Sequence, residues 1–483
     1  MAEADRSAPR TEQAPRAVFT SVTKSHLASA RVLMHSVRRQ MPGWRRFVLL
    51  ADEVDGCFDP AEEPFETVEA QGLPVPDFRR MAFRYGPMEL CCALKPWGLR
   101  YLLEERGFGR ALYLDSDVEL YSPLSRIEEA LEERNIALTP HLASPLRGPG
   151  EGPPEDHILR DGTYNGGLVG VRDSETSRSF LNWWAEKVAY DCVVDRERGL
   201  MYDQKWLDMV PALFAGVEVL RDAGYNVAYW NLANRPVTRG AAGEWLAGGT
   251  QLAFFHFSYF RPGRELPFGP VGPRRESLAS EVSELLDGYA ERLRDAGYEE
   301  CAAWPYAYGA FGDGTPVHPA FREFHREVLY PRGLGAPEDP FDPKNGTMPA
   351  LTGRWRDSAW VGAVAALYRF IVATGDRHPS APLHGPVAFA EWCSQHGEET
   401  GVGERFVSAQ RELLASFKKG GERPPRHLTG DALALLKQGK AVRVAGLCSQ
   451  LSRTLHTILS KPPVRFYRAV KSALKRVVQR TDE

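Results

Sequence analysis

The sequence predicts an α/β protein with a Rossmann-like domain followed by a helical C-terminal region. A β-branched run at 17–23 ("AVFTSVT"), apolar residues at helical spacing over 25–41 and a second apolar run at 45–53 follow one another directly. This order is typical of a βαβ unit. Polar residues end three predicted strands, in "FTSVTKS", "LLADE" and "YLDSD". Open α/β sheets bind ligands at the carboxyl ends of their strands, so these ends predict the ligand site.

The remaining elements follow from the same periodicities. Further strands are predicted at 110–114, 164–172, 217–220, 225–232 and 249–260, and helices at 88–107, 177–193, 199–214 and 275–300. The Gly- and Pro-rich segment 143–163 predicts a long mobile loop. His141 and His157 flank that loop and are expected to face solvent.

Composition excludes several classes of protein. The chain has 483 residues, enough for two or three domains, and a net charge of −3, which predicts no nucleic-acid partner. Seven cysteines without a CxxC spacing predict no zinc or redox site and favour a reducing, cytoplasmic location. No run of roughly 18 apolar residues occurs, so no transmembrane helix is predicted.

Shifts in composition predict the domain boundaries. In order, we expect a disordered leader (1–15), the Rossmann-like domain (16–265), a loop-rich extension (266–345), a helical region (346–440) and a basic amphipathic tail (441–483). Apolar residues among the cations of the tail suit peripheral contact with an anionic membrane surface. A solvated or partner-packed helix is the alternative that this pattern leaves open.

Two carboxylates carry the clearest chemical signal. In "RALYLDSDVELYSPL", an apolar run leads directly into Asp115 and Asp117, with Ser116 between them. Acids at the end of a buried strand repel each other and are costly unless they are paired. Paired carboxylate oxygens suit a hard cation such as Mg²⁺ or Mn²⁺. A D-x-D pattern alone is common on solvated turns, and the preceding strand is what makes this one informative.

"ALYLDSDVELYSPL" resembles the D-x-D segment of A-type glycosyltransferases, particularly those of glycosyltransferase family 8. Four other segments resemble family motifs in the same order along residues 16–265. They are the first strand and helix ("FTSVTKSHLASARVLMHSV"), the N-[AS]-G strand ("YNGGLVGVR"), the D-Q-D-x-L-N helix start ("DQKWLD") and the H-F-x-G-x-x-K-P-W segment ("FFHFSYFRP"). The resemblance implies an A-type nucleotide-sugar domain built on a mixed sheet.

The resemblance also implies roles for individual residues. Asp115, Asp117 and His256 would bind Mn²⁺ or Mg²⁺, and Asp203 and Gln204 would face the reacting carbon as catalytic candidates. The residues expected to bind the donor are Thr20, Ser21, Thr23 and Lys24 at the base and ribose, Ser116 beside the ribose, Arg84 or Lys95 at the diphosphate or sugar, and Asn165, Gly166 and Gly167 at the sugar.

This sequence departs from the family pattern at three places. Tyr259 replaces a glycine, Arg261-Pro262 stands one residue early for Lys-Pro-Trp, and Lys205 replaces the second acid of D-Q-D. Arg261 is still expected to bind phosphate, because a guanidinium suits that geometry. The departures bear on the sub-family and the acceptor more than on the metal site.

The function implied is metal-dependent transfer of a hexose from a nucleoside diphosphate sugar, expected to be a UDP-sugar, with retention at the anomeric carbon. The acceptor stays open between a glycan, a lipid-linked sugar and a small molecule. One alternative is a sugar-phosphate nucleotidyltransferase, which would need an early Gly-rich, basic loop that residues 17–30 lack. Another is a non-catalytic nucleotide-sugar or partner-binding domain, which predicts damaged metal ligands where these are intact.

Overall fold

The computed structural model describes residues 14–146, 155–196, 198–268, 272–326, 330 and 333–349, with single positions at 404, 407, 408, 411, 412 and 415. From Ala14 to Pro349 these residues belong to one compact unit, which spans both 16–265 and 266–345. A second unit comprises 350–400 and 405–483, and its few described positions are helical. The predictions for residues 1–13, for the helical region beyond 349 and for the basic tail therefore lie outside the described residues.

The strands lie mostly in the first 260 residues. They are β1 (Arg16–Val22), β2 (Arg45–Leu50), β3 (Glu66–Glu69), β4 (Arg110–Leu114), β5 (Val118–Leu120), β6 (Ile136–Pro140), β7 (Tyr164–Arg172), β8 (Val194–Asp195), β9 (Leu200–Met201), β10 (Val217–Val219), β11 (Val237–Arg239), β12 (Trp245–Ala247), β13 (Thr250–Gln251) and β14 (Phe254–His256).

The helices are short apart from α1, α7 and α10. They are α1 (Leu27–Gln40), α2 (Phe78–Arg84), α3 (Pro87–Ala93), α4 (Lys95–Arg100), α5 (Ser125–Glu133), α6 (Glu155–Asp161), α7 (Glu175–Asp191), α8 (Gln204–Leu207), α9 (Val210–Leu213), α10 (Ser280–Asp295), α11 (Tyr298–Ala303) and α12 (Pro319–Phe324). Among the described residues, no helix is both long and apolar enough to cross a membrane.

Seven of the described strands form a central sheet in the order β10-β6-β7-β4-β1-β2-β3. All neighbours pair in parallel except β7, which runs antiparallel to β4 and β6. The predicted α/β fold with a Rossmann-like mixed sheet is confirmed. Because β1 lies between β2 and β4, the three polar strand ends lie at one edge of the sheet.

A small second ladder determines what faces that edge. β5 and β14 pair antiparallel, with His256 opposite Val118. Val118 follows the acid pair directly, so this register brings β14 back beside the carboxyl end of β4. The backbone N–H of Phe257 donates to the carbonyl of Asp117 at 2.8 Å and extends the contact past the strands.

Helix α1 packs on the sheet as its apolar spacing predicts. Leu33, Met34 and Val37 are fully buried in one cluster with Val18 of β1 and Leu112 of β4. Burying a side chain of this size stabilises the fold by about 1.5–3 kcal/mol. The helix ends at Gln40 and Pro42 follows, which has no N–H with which to continue the backbone ladder.

Three predicted elements are wrong or broken. The predicted helix 199–214 is two short helices, because Tyr202 has a left-handed backbone (φ 49°) and Pro211 can only begin a helix. Met209 and Leu213 are about half exposed rather than packed on a buried face. The predicted strand 225–232 forms only one bridge, at Val227, before turning. The predicted strand 249–260 is divided into β13 and β14.

Other differences concern boundaries and omissions. The predicted helix 88–107 is divided into α3, α4 and a π-helical turn at Tyr101–Glu105, with Pro96 in the first turn of α4. Part of the predicted loop 143–163 is helix α6. The sequence analysis did not predict several further elements, among them β3, β6, β11, β12, α2, α5 and α12. Of these, β6 matters most, because its end lies at the candidate site.

Candidate active site

The acid pair lies in the turn between β4 and β5. The backbone N–H of Asp115 donates to the carbonyl of Gly167 at 2.9 Å, which continues the β4–β7 pairing to the end of the strand. The hydroxyl of Tyr113 donates to Asp115 Oδ1 at 2.6 Å and orients that carboxylate. Both acids are only partly buried, so each keeps an oxygen accessible to a ligand.

His256 faces the two acids from β14. Its Nε2 lies 3.1 Å from Asp117 Oδ1 and 3.7 Å from Asp115 Oδ2, and the three donor atoms all lie within 4.8 Å of one another. Adjacent ligands of an octahedral Mg²⁺ or Mn²⁺, at about 2.1 Å from the ion, are about 3 Å apart. Two carboxylates and an imidazole with this spacing fit such an ion. Without the ion, Asp117 and Asp115 outweigh burial and raise the pKa of His256.

Lys95 joins the acid pair to a third acid. Its Nζ lies 3.0 Å from Asp203 Oδ2 and 3.4 Å from Asp115 Oδ1, and it donates to the carbonyl of Gly166 at 3.0 Å. It also lies 4.6 Å from the centre of the Tyr113 ring. Burial would lower the pKa of Lys95, but Asp115 and Asp203 outweigh burial and hold it well above the ordinary value. Lys95 therefore stays charged between the two carboxylates.

The pKa values of Asp203 and Asp115, the two acids paired with Lys95, are shifted in opposite directions. Burial, and then the charge of Asp115, raise the pKa of Asp203 despite Lys95. For Asp115 burial is the largest single influence, yet Lys95, His256 and the Tyr113 hydroxyl together lower its pKa. The site therefore holds Asp115 as the stronger acid and Asp203 as the weaker one.

Gly167 lies where no side chain fits, and Gly166 lies where a side chain would be tight. A Cβ on Gly167 would come within 2.6 Å of both Asn165 Oδ1 and His256 Cε1, and 2.9 Å from Asp115 Oδ2. A Cβ on Gly166 would lie 3.0 Å from Asp203 Oδ2 and 3.3 Å from Lys95 Nζ. A larger residue is therefore excluded at Gly167, and at Gly166 it would have to displace its neighbours. These contacts bring Asn165, Gly166 and Gly167 into one cluster with Asp115, Asp203 and His256.

The side-chain amides of Asn165 and Gln204 are hydrogen-bonded to the backbone of this cluster. Asn165 Oδ1 accepts the N–H of Gly167 at 3.0 Å, and its Nδ2 lies 3.1 Å from His141 Nε2. Gln204 Nε2 donates to the carbonyl of Asp161 at 2.8 Å, and its Oε1 accepts the N–H of Gly166 at 3.4 Å. Both amides are thus held by the neighbouring backbone.

The residues predicted at the base and ribose lie along the end of β1 and the β4–β5 turn. Thr20 and Ser21 are buried, and the Thr20 hydroxyl has no hydrogen-bond partner among the described residues. Thr23 Oγ1 lies 2.9 Å from Ser25 Oγ. Ser116 lies in the turn between the two acids. Their contacts with a donor remain predictions.

Three predicted cations lie apart from the cluster. Lys24 is fully buried against Asp52 and Asp55, at 3.1 Å and 2.6 Å. Arg84 donates to the carbonyl of Ala189 and lies over the ring of Tyr190. Arg261 is exposed after β14. Within the described residues, none of the three makes a hydrogen bond or ion pair with Asp115, Asp117 or Asp203.

The sequence analysis missed three residues beside His256. Asn226 Oδ1 lies 3.3 Å from His256 Nδ1, and the Trp230 ring meets the His256 ring edge to face at 5.3 Å. The prediction of a solvated His141 was wrong, since it is 6% exposed and burial, helped by His256, lowers its pKa to about 4. The apolar run "IALTP" of β6 was the signal that could have placed His141 at a strand end.

No protein-family model matches this chain. Similar curated proteins include the uncharacterized protein YfnD of Bacillus subtilis (strain 168), 25% identical over 248 residues that cover 50% of this chain and 76% of YfnD. The uncharacterized protein YfnF of the same strain is 26% identical over 176 residues, which cover 36% of this chain and 57% of YfnF.

Similar solved structures include the galactosyltransferase LgtC in complex with donor and acceptor sugar analogs, at 16% identity and a TM-score of 0.36, covering 58% of this chain and 95% of LgtC. Another is the apo form of the glycosyltransferase GlyE of Streptococcus pneumoniae TIGR4, at 14% identity and a TM-score of 0.35, covering 62% of this chain and 66% of GlyE. Likenesses this weak carry no conclusion about activity, so function has to be inferred from the side chains of the site.

Proposed function

We propose that this protein is a metal-dependent glycosyltransferase that moves a hexose from a nucleoside diphosphate sugar to an acceptor, with retention at the anomeric carbon. One observation carries the proposal: Asp115, Asp117 and His256 converge at the carboxyl edge of the sheet, beside the ion pair of Lys95 with Asp203. The ordered resemblance to glycosyltransferase family 8 supports the same function.

The charges of the cluster favour a divalent cation. Three carboxylates face Lys95 and His256, so the site carries excess negative charge when the imidazole is neutral. Asp115, Asp117 and His256 would hold Mn²⁺ or Mg²⁺. The ion would neutralise charge on the diphosphate leaving group as the glycosidic bond breaks.

The chain's own residues would position the donor around this ion. Thr20, near the end of β1, would border the nucleoside. Gly166 and Gly167 would let the sugar approach the backbone closely. Asp203 and Gln204, the catalytic candidates, border Gly166 on the sugar side. The positive charge of Lys95 would offset the repulsion between the carboxylates of Asp115 and Asp203, and its ion pair would orient Asp203.

The reaction would exchange one bond for another at the anomeric carbon. The bond to the diphosphate oxygen would break, a bond to an acceptor hydroxyl oxygen would form, and the hydroxyl proton would pass to the departing diphosphate. Glycan, lipid-linked and small-molecule acceptors all remain open. The cytoplasmic location and peripheral membrane contact through 441–483 stay predictions.

The test is metal-dependent donor binding and slow hydrolysis. A panel of nucleotide-sugars would be titrated into the full chain with and without Mn²⁺, using wild type, Asp115→Ala/Asp117→Ala and the control Glu129→Gln, which changes an exposed acid on α5. We expect one donor to bind and to release a free sugar and a nucleoside diphosphate, only with metal and only in wild type and the control.

Two results would overturn the proposal. Release of a nucleoside monophosphate and a sugar phosphate would indicate the nucleotidyltransferase alternative instead. Absence of binding by any nucleotide-sugar, with or without metal, would make the acid pair structural and favour a partner-binding domain.

A further inference from the structure

We infer that Asn226 is a positioning residue that keeps the hydrogen of neutral His256 on Nδ1, so that the lone pair of Nε2 is available to a cation bound together with Asp115 and Asp117. This inference rests on the metal site of the proposed function. It concerns a residue that touches no substrate and acts only through His256.

A hydrogen bond to the carbonyl of Pro140 fixes the orientation of the Asn226 amide. Asn226 is 1% exposed, and its Nδ2 donates to the carbonyl of Pro140 at the end of β6, at 3.3 Å. Since a carbonyl can only accept, the amide nitrogen faces Pro140 and Oδ1 faces His256 Nδ1, at 3.3 Å. An amide oxygen cannot donate, so the ring nitrogen opposite it must carry the hydrogen. Nε2 is then left with a free lone pair.

The backbone around Asn226 is fastened on both sides. Asn231 Nδ2 donates to the carbonyl of Asn226 at 2.9 Å and to that of His141 at 3.0 Å. The N–H of His256 donates to the carbonyl of Val227 at 2.8 Å. Asn226 itself has φ 54°, a left-handed conformation that asparagine tolerates better than most residues. These bonds hold the backbone of Asn226 in place, and the bond to Pro140 holds its amide opposite the ring.

The position of the hydrogen determines whether Nε2 of His256 donates to Asp117 or binds a cation. If Nε2 carried the hydrogen, it would donate to Asp117 Oδ1 at 3.1 Å, and neither atom would then be free to bind a cation. With the hydrogen on Nδ1, Nε2 is free to bind a cation. Hydrogen bonds to the far nitrogen of a metal-binding histidine act in this way generally, and their loss weakens metal binding about 10- to 100-fold.

Two variants separate this role from a structural one. Asn226→Gly tolerates the left-handed backbone and removes the acceptor, whereas Asn226→Asp keeps an oxygen opposite Nδ1. Asn234→Ala is the control, because it removes a nearby side-chain amide that, among the described residues, bonds only to Ser144 and Pro145. Mn²⁺ affinity, measured by the EPR signal of free Mn²⁺, is expected to fall about 10- to 100-fold in Asn226→Gly. It should be partly recovered in Asn226→Asp, whose second oxygen cannot donate to the carbonyl of Pro140, and unchanged in Asn234→Ala.

NMR on ¹⁵N-histidine-labelled, metal-free protein tests the tautomer directly, at a pH where the ring is neutral. We expect the hydrogen on Nδ1 in wild type and a shift toward Nε2 in Asn226→Gly. Hydrogen on Nε2 in wild type, or Mn²⁺ affinity in Asn226→Gly equal to wild type, would overturn the inference. Failure of wild type to bind Mn²⁺ would instead count against the proposed function, and the NMR result would still decide the inference.

Discussion

Two buried lysines at the same edge of the sheet have similar carboxylate neighbours but different expected roles. Lys24, after β1, and Lys95, at the start of α4, have side chains 0% and 3% exposed, and each lies between two carboxylates. Lys24 Nζ is 3.1 Å from Asp52 and 2.6 Å from Asp55, and Lys95 Nζ is 3.0 Å from Asp203 and 3.4 Å from Asp115. The sequence analysis assigned both lysines to the donor.

The difference lies in what else the carboxylates bind. Asp52 is satisfied inside the protein, because it also accepts the backbone N–H groups of Lys24, Glu53 and Ala307 at 3.2, 3.0 and 2.9 Å. Its contact with Ala307 ties the segment after α11 to the end of β2. Asp115, by contrast, shares its second oxygen with His256 and the open side of the site. A buried lysine between satisfied acids is expected to be structural, and one between acids that face a ligand is expected to be functional.

Lys24→Met should have the largest effect on stability. It leaves Asp52 charged, buried and without its cation, which typically lowers the free energy of unfolding by about 3–5 kcal/mol. Denaturant unfolding would measure this loss against Arg45→Met, which breaks the exposed pair Arg45–Glu66 and should cost under about 1 kcal/mol. Equal losses in the two variants would contradict a structural role for Lys24.

Lys95→Met should affect turnover more than folding. Without the cation, Asp115 and Asp203 repel each other and one of them takes up a proton, so the donor is no longer held in place. We expect turnover of the donor to fall about 10²- to 10³-fold, as for loss of one preorganised electrostatic group. Mn²⁺ should raise the thermal stability of Lys95→Met, because its charge would lie beside Asp115, and should not raise that of Lys24→Met. A similar response of both variants to Mn²⁺ would contradict the assignment of Lys24 as structural and Lys95 as functional.

Tyr113→Phe should give the smallest change and bears on Asp115 alone. It removes the 2.6 Å hydrogen bond that orients this carboxylate and keeps the ring below Lys95. We expect Mn²⁺ affinity to fall about tenfold, or about 1.4 kcal/mol, as for other partners of metal ligands. Tyr121→Phe is the control, because its hydroxyl bonds to Glu119, which is not a proposed ligand. Loss of affinity in both variants alike would mean that the hydroxyl of Tyr113 has no special role.

Local patterns were sufficient for the first part of the sheet. The sequence β1-α1-β2 could be predicted because strand and helix periodicities depend on neighbours within a few residues, and Asp115 and Asp117 because they follow their own buried strand. The same patterns failed at 199–214 and 225–232. There, helical spacing and apolar runs continued, but Tyr202, Pro211 and the turn around Asn231 set the backbone.

The sequence by itself determined the α/β class, the acid pair at a strand end and the glycines that follow Asn165. The tertiary structure decided that His141 and Asn226 border His256, that Asp203 shares Lys95 with Asp115, and that Lys24 belongs to Asp52. These contacts depend on the registers of β14 with β5, of β7 with β4 and of β1 with β2, which join segments far apart in the chain. Nothing local to either partner encodes such a pairing, because its free energy comes from packing and hydrogen bonds that exist only once the sheet has formed.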